Sequence, residues 1–72
     1  MLIKLTGYKT GLPVLVESDA IITAEETTDI YNNGEKYTRL LIAVGNYQTS
    51  TGIKETCEEI LEEISDSAEG LL

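Results

Sequence analysis

Histidine, tryptophan and phenylalanine are all missing from this 72-residue chain, which has one cysteine and one proline. Each absence removes a class of chemistry. Without histidine, no Ser-His or Cys-His pair can activate a nucleophile. A lone cysteine without histidine argues against a structural zinc site and leaves Cys57 able to form a disulfide only between chains. Basic residues are also scarce, five Lys/Arg against 13 Asp/Glu, for a net charge of −8. Those five, Lys4, Lys9, Lys36, Arg39 and Lys54, are scattered, whereas neutralising phosphates needs them clustered. Nucleic acid is therefore not expected as a direct ligand. The longest apolar stretch, Leu40 to Val44, falls far short of the roughly 20 residues that cross a bilayer. No apolar signal region follows Met1-Leu2-Ile3-Lys4-Leu5, so neither membrane insertion nor secretion is expected. Sparing use of cysteine suits a soluble protein of a reducing cytoplasm.

The acids that are present are unevenly placed. Residues 1–54 carry five basic and six acidic side chains, a balance of −1, while residues 55–72 carry seven acids and no base, a balance of −7. The body is almost neutral and the end is strongly acidic. An acidic surface either keeps a domain dissolved or meets a basic protein surface.

Length adds a further constraint. A chain of this size forms one domain, and its own core supplies only about 3–5 kcal/mol. With disulfides and zinc excluded, association with a second copy is the remaining route to extra stability. A homo-oligomer is expected.

Short strands separated by turn residues fill the first part of the chain. Leu2 to Thr6, then Gly7 to Gly11, then Pro13 to Glu17 read as a hairpin with a loop, and Pro13, lacking an amide hydrogen, belongs at a strand start or on an edge. A third strand is predicted over 20–28, buried on both faces at Ile21 and Ile22. Asn32-Asn33-Gly34 tolerates the positive φ of primed turns, and a strand follows it over 36–44. In that strand Leu40, Ile42 and Val44 share one face and Arg39, Leu41 and Ala43 the other. Apolar groups on both sides suit a central strand. After Gly45-Asn46, Tyr47 to Thr51 reads as the last strand, with Gly52 ending it.

An acidic helix is predicted over 54–69, ahead of a short tail at 70–72. Thr56 and Glu59 form a Thr-x-x-Glu capping box before the apolar repeat. At about 100° per residue, Cys57, Ile60, Leu61, Ile64 and Ala68 share an arc roughly 100° wide. That arc is the stripe expected to meet the core or a partner subunit. Glu55, Glu58, Glu59, Glu62, Glu63, Asp66 and Glu69 take the opposite side. Like charges spaced i,i+4 cost about 0.2–0.5 kcal/mol each.

Chemistry-bearing motifs are few. Carboxylates on a solvated helix lack the pocket that catalytic acids need to shift their pKa. Gly52 and Lys54 are separated by Ile53, so the Gly-Lys-Ser/Thr core of a phosphate loop is absent. Glu58, Glu59, Glu62 and Glu63 cannot wrap around Ca²⁺ as a loop does. No catalytic residue, metal or cofactor is expected. Cys57 stands at the helix start, but its place on the apolar stripe makes it a small core residue rather than a reactive thiol. Tyr8, Tyr31, Tyr37 and Tyr47 are the only aromatics, and tyrosine joins a broad apolar ring to a polar tip. Tyr8, Arg39 and Tyr47 are the candidates for a recognition surface on the sheet, and Glu58, Glu62 and Asp66 for one on the helix.

Three segments together carry a likeness to a known family. Leu2-Ile3-Lys4-Leu5-Thr6, Val14-Leu15-Val16-Glu17-Ser18-Asp19-Ala20-Ile21 and Ile53-Lys54-Glu55-Thr56-Cys57-Glu58-Glu59-Ile60-Leu61-Glu62-Glu63-Ile64 resemble the small FlbD/SwrD-type proteins. That likeness implies an accessory role in a flagellar gene cluster. Gly7 to Gly11 stands where the family's first hairpin carries Asn-Gly, the Asp29 to Lys36 loop is longer, and the helix is more acidic. Those departures point to a phage or prophage relative. The order of strands then helix is also similar to the RNA-binding carbon-storage regulators, but this chain lacks their basic character.

The expected fold is α+β: four or five antiparallel strands in a small curled sheet or open barrel, then one C-terminal amphipathic helix. The expected function is that of a non-enzymatic accessory protein acting through protein–protein contacts. Two alternatives stand beside it. One is a phage-encoded inhibitor whose acidic helix face mimics nucleic acid; the other is sequestration of a small nucleotide-like ligand.

Overall fold

A computed structural model describes residues 1–69. The tail expected at 70–72 lies outside the described residues. Five strands and one helix follow in the order β1 (Leu2–Thr6), β2 (Pro13–Glu17), β3 (Ile21–Asp29), β4 (Glu35–Val44), β5 (Tyr47–Ile53) and α1 (Cys57–Glu69). A single 3₁₀ turn, Ser18–Ala20, joins β2 to β3. β1 and β2 form an antiparallel hairpin, and β3, β4 and β5 form an antiparallel sheet with β4 in the middle. The fold is the α+β arrangement expected, and its two sheets do not close into a barrel.

One short seam links the sheets. Beyond β1, Gly7 bridges to Ile53; the Tyr8 amide donates to the Gly52 carbonyl at 2.9 Å, and the Lys54 amide to the Thr6 carbonyl at 2.9 Å. Among the described residues, only the end of β5 is therefore held on its outer side.

Turn chemistry sets the hairpins. Asn33 and Gly34 take φ of 56° and 71°, the consecutive positive values that the Asn-Asn-Gly sequence permits. Gly45 has φ of 61° and Asn46 is not left-handed, the pattern of a two-residue II′ turn. Val44 and Tyr47 then face each other, and the register runs on through Leu40–Thr51 to Thr38–Ile53.

The core is compact and small. Ile3, Leu5, Val16, Leu40, Ile53 and Ile60 are buried, with Val14, Ile21, Ala24, Ile42 and Ile64 packed around them. Strand alternation puts Thr38, Leu40 and Ile42 on one face of β4, and α1 closes that face through Ile60 and Ile64. Buried Thr38 satisfies its hydroxyl by donating to the Glu55 carbonyl at 2.6 Å. The capping box forms as predicted: the Glu59 amide donates to Thr56 Oγ1 at 3.2 Å, and the Thr56 amide to Glu59 Oε1 at 3.0 Å.

Several details differ from the sequence-based expectations. Ile22 is 46% exposed rather than buried, because a β-bulge between Ile21 and Thr23 takes it out of register. Gly52 lies inside β5, which continues to the fully buried Ile53. The helix begins at Cys57, so Glu55 precedes it and is not on its acidic face. Instead the Glu55 carboxylate accepts from the Thr6 amide at 2.8 Å and the Thr6 hydroxyl at 2.9 Å, tying the helix entry to β1. Leu61, at the edge of the expected stripe, is 63% exposed in the single chain and does not join the core. One step of about 100° from Ile60 carries it off the core-facing side.

Candidate functional site

The residues expected to meet a partner fall on separate surfaces. Tyr37 and Arg39 alternate with the core residues of β4 and so point away from α1. Among the described residues, the helix packs on the opposite, core side and leaves this outer face of the three-stranded sheet without one. Glu58, Glu62 and Asp66 are exposed on α1, across the sheet from it. Tyr47 shares the face of Thr49 and Thr51 but lies at the tip of the β4–β5 hairpin, 79% exposed and beyond the core. Of the three sheet candidates, Tyr8 and Arg39 share the outer face and Tyr47 does not. Cys57 is half-buried, its thiol 3.4 Å from the Ala24 carbonyl; Ile60 is buried and Ile64 half-buried.

Backbone pairing positions Tyr8. With its amide on Gly52, the residue lies alongside β5, and its ring stacks on Tyr37 with centroids 4.5 Å apart and planes 11° apart. Gly52 lies beneath the pair. A Cβ there would stand 3.3 Å from both Tyr37 Cδ2 and Tyr8 Cβ, so the absence of a side chain lets the rings lie against the strand.

The Tyr8 hydroxyl ends in an acidic pocket. It lies 3.2 Å from Asp29 Oδ2 and 3.4 Å from Glu35 Oε2, and accepts from Asn32 Nδ2 at 3.3 Å. Asn32 also donates to Glu35 Oε2 at 2.6 Å. The Asn32 contact alone would lower the phenol pKa, but partial burial and the carboxylates Asp29 and Glu35 together outweigh it, leaving Tyr8 above its ordinary value of about 10. A negative charge is unwelcome there, and a positive one is favoured.

Around the stacked pair is an open cleft of about 570 Å³, lined by Tyr8, Lys9, Asp29, Tyr31, Tyr37 and Ser50 among others. Tyr31 is held by its amide, which donates to Asp29 Oδ1 at 3.1 Å, yet the residue is 94% exposed. Ser50 also borders a second hollow of about 330 Å³ with Thr23, Glu25, Arg39 and Leu41. Arg39 pairs there with Glu25, its direct neighbour across β3 and β4. The outer face thus carries two adjoining hollows that meet at Ser50.

Sequence reasoning missed Tyr37, Asp29, Tyr31, Glu35, Ser50 and Gly52 as members of this site. Tyr37 had one usable signal, its two-residue spacing from Arg39 in a strand. The others converge from two loops and β5, and no local pattern reports that. Among the described residues, no group of three or more His, Cys, Asp or Glu side chains is placed to hold a metal ion, and no helix is long and apolar enough to cross a membrane. Compared with protein families, with curated proteins and with solved structures, the chain matches none.

Proposed function

We propose that this chain is a non-enzymatic binding module that works through protein–protein contacts, with the outer face of the β3–β4–β5 sheet as its principal surface. One observation carries the proposal. The helix covers one face of the sheet, and the other keeps an uncovered cleft with stacked tyrosines. Exposed aromatic rings with polar tips are the side chains that most often anchor protein interfaces. The likeness to FlbD/SwrD-type proteins supports an accessory role, cytoplasmic and of bacterial or phage origin. The small core and the exposed Leu2 and Leu15 support a homo-oligomer.

A second reading uses the helix. Glu58, Glu62 and Asp66 are all exposed, and neither ion pair among the described residues involves them. This supports an inhibitor that presents carboxylates to a basic host surface in place of nucleic acid.

One experiment separates the two. The tagged protein is used to capture partners from a bacterial lysate alongside two variants, Tyr37→Ser/Arg39→Ser on the outer face and Glu58→Gln/Glu62→Gln/Asp66→Gln on the helix, each first checked for native circular dichroism. Loss of a specific captured protein with the first variant and retention with the second supports the principal surface. The reverse result supports the acidic mimic.

A further inference from the structure

Four strand edges end the two sheets, and they differ in chemistry: β1 carries Lys4 and its end at Thr6 is already met by Glu55 and Lys54. β2 opens with Pro13, and β3 carries Glu25, Glu26 and Asp29. β5, Tyr-Gln-Thr-Ser-Thr-Gly-Ile, has no charged residue and no proline. Charge and proline are the usual means of blunting an edge, and β5 lacks both.

The free backbone groups of β5 can be identified from its register. A two-residue hairpin turn makes Val44–Tyr47 a hydrogen-bonded pair, and antiparallel pairs then alternate. Thr49, Thr51 and Ile53 therefore bond to β4, and Gln48, Ser50 and Gly52 turn their N–H and C=O groups outward. The Tyr8 amide on the Gly52 carbonyl agrees with that phase. Among the described residues, only Gly52 of the three is met by another segment, and none pairs with the Gln48 and Ser50 groups.

That edge runs into the tyrosine cleft, since Ser50 lines it. In and beside the cleft stand Asp29 and Glu35, and Lys9 is its only lining cation, making no ion pair with either acid among the described residues. Tyr8 and Tyr31 add ring faces next to those carboxylates. Ring faces beside acids favour a guanidinium or ammonium group.

We propose that β5 receives an extended basic peptide segment from a partner protein. Its main chain pairs with Gln48 and Ser50, and one Arg or Lys side chain enters the cleft against Tyr31, Asp29 and Glu35. Adding a strand supplies affinity through main-chain bonds, and a pocket for alternate side chains supplies selectivity. The charge of the receiving chain, −8 overall, draws a cationic segment toward it.

The proposal rests on the outer face being a protein-binding surface, and its test uses a defined probe. A short, capped, fluorescein-labelled peptide of alternating valine and arginine is titrated with the full chain by fluorescence anisotropy, beside a valine–glutamate counterpart. The arginine peptide binds, more weakly as salt rises, and the glutamate peptide binds at least about tenfold less, the weight of one lost charge-assisted contact. Ser50→Pro removes an outward donor without removing a bond to β4, and weakens binding by about tenfold, roughly one ladder hydrogen bond. Glu26→Pro, whose amide points outward on the β3 edge, leaves binding unchanged. Should Ser50→Pro fail to fold, amide exchange in the unaltered protein gives the same answer: the peptide slows exchange at Gln48 and Ser50 and not at Glu26. Equal binding of the two peptides overturns the proposal, as does unchanged binding by folded Ser50→Pro. A dimer that Ser50→Pro dissociates, with no peptide binding, overturns it in favour of a second copy on that edge. If the peptide does not bind but Tyr37→Ser/Arg39→Ser still abolishes capture of a lysate protein, only the peptide proposal fails and the outer face stands.

Discussion

Tyr8 shows how one side chain ties the loops to the sheet. Its amide completes the seam with Gly52, its ring stacks on Tyr37, and its hydroxyl reaches Asp29 and Glu35 from the two ends of the β3–β4 hairpin loop. Those carboxylates make ionisation of the phenol less favourable, so the folded protein holds this proton at a pH where an unfolded chain has released it. The sign follows directly. A folded pKa above the unfolded one gives a contribution that is fully present below pH 10 and is lost as pH rises through the folded value. In an absorbance titration, a tyrosine ionisation above the ordinary value is expected, and Tyr8→Phe should remove it. A late ionisation that survives Tyr8→Phe, or none in the unaltered protein, would show that the acidic pocket does not form around Tyr8.

At the scale of elements, the sequence reported what depends on near neighbours. Thr56 and Glu59 specify the capping box through contacts three residues apart, Asn33-Gly34 and Gly45 specify turns through φ alone, and the two-sided apolar pattern of Leu40 to Val44 marks the central strand. What it did not report depends on partners distant in the chain. Glu55 looked like one more acid of the helix face until Thr6, 49 residues away, supplied its donors. Gly52 looked like a strand end because nothing local announces that Tyr8 and Tyr37 will stack over it. The correction at Glu55 also changes the helix's electrostatics. Glu55/Glu59 ceases to be an intrahelical pair, and Glu58/Glu62, Glu59/Glu63 and Glu62/Asp66 remain within Cys57–Glu69. Glu62 takes part in two of these three and lies beyond the first turn, where a carboxylate gains little from the helix dipole. Glu62→Gln is therefore expected to stabilise the protein by about 0.4–1 kcal/mol, from two pairs at about 0.2–0.5 each. Urea denaturation at low salt checks this. The gain should shrink toward zero at about 1 M salt, where screening acts over roughly 3 Å; a gain that salt leaves unchanged would locate the effect in something other than charge.

For the whole molecule, the balance between core and surface decides the expected assembly. Among the described residues six hydrophobic side chains are buried, and Leu2, Leu15, Leu61 and the tyrosines Tyr31 and Tyr47 are among the large apolar side chains left exposed. Leu2 and Leu15 are close neighbours: Leu2 faces Glu17 and Leu15 faces Lys4 across the β1–β2 hairpin, so the two leucines sit diagonally on the side away from Ile3, Leu5 and Val16. A second copy laid on this face would bury both pairs, removing apolar surface worth about 25 cal/mol per Å². It would also leave the β5 edge and the tyrosine cleft free. The acidic helices would add repulsion between copies, which salt screens beyond about 8–10 Å. Association should therefore strengthen as salt rises, opposite to the response expected of a basic peptide in the cleft. Sedimentation equilibrium at micromolar protein should give a mass above the 7.9 kDa of one chain, and Leu2→Glu/Leu15→Glu should return it to that value. Both positions are exposed in the single chain, so the substitutions should change its own stability by only about 0.5 kcal/mol each. A monomeric mass for the unaltered protein at every salt concentration would refute the association. It would leave the small core around Leu40 and Ile53 standing alone, held by the capping box, the Glu55–Thr6 tie and the Tyr8 seam.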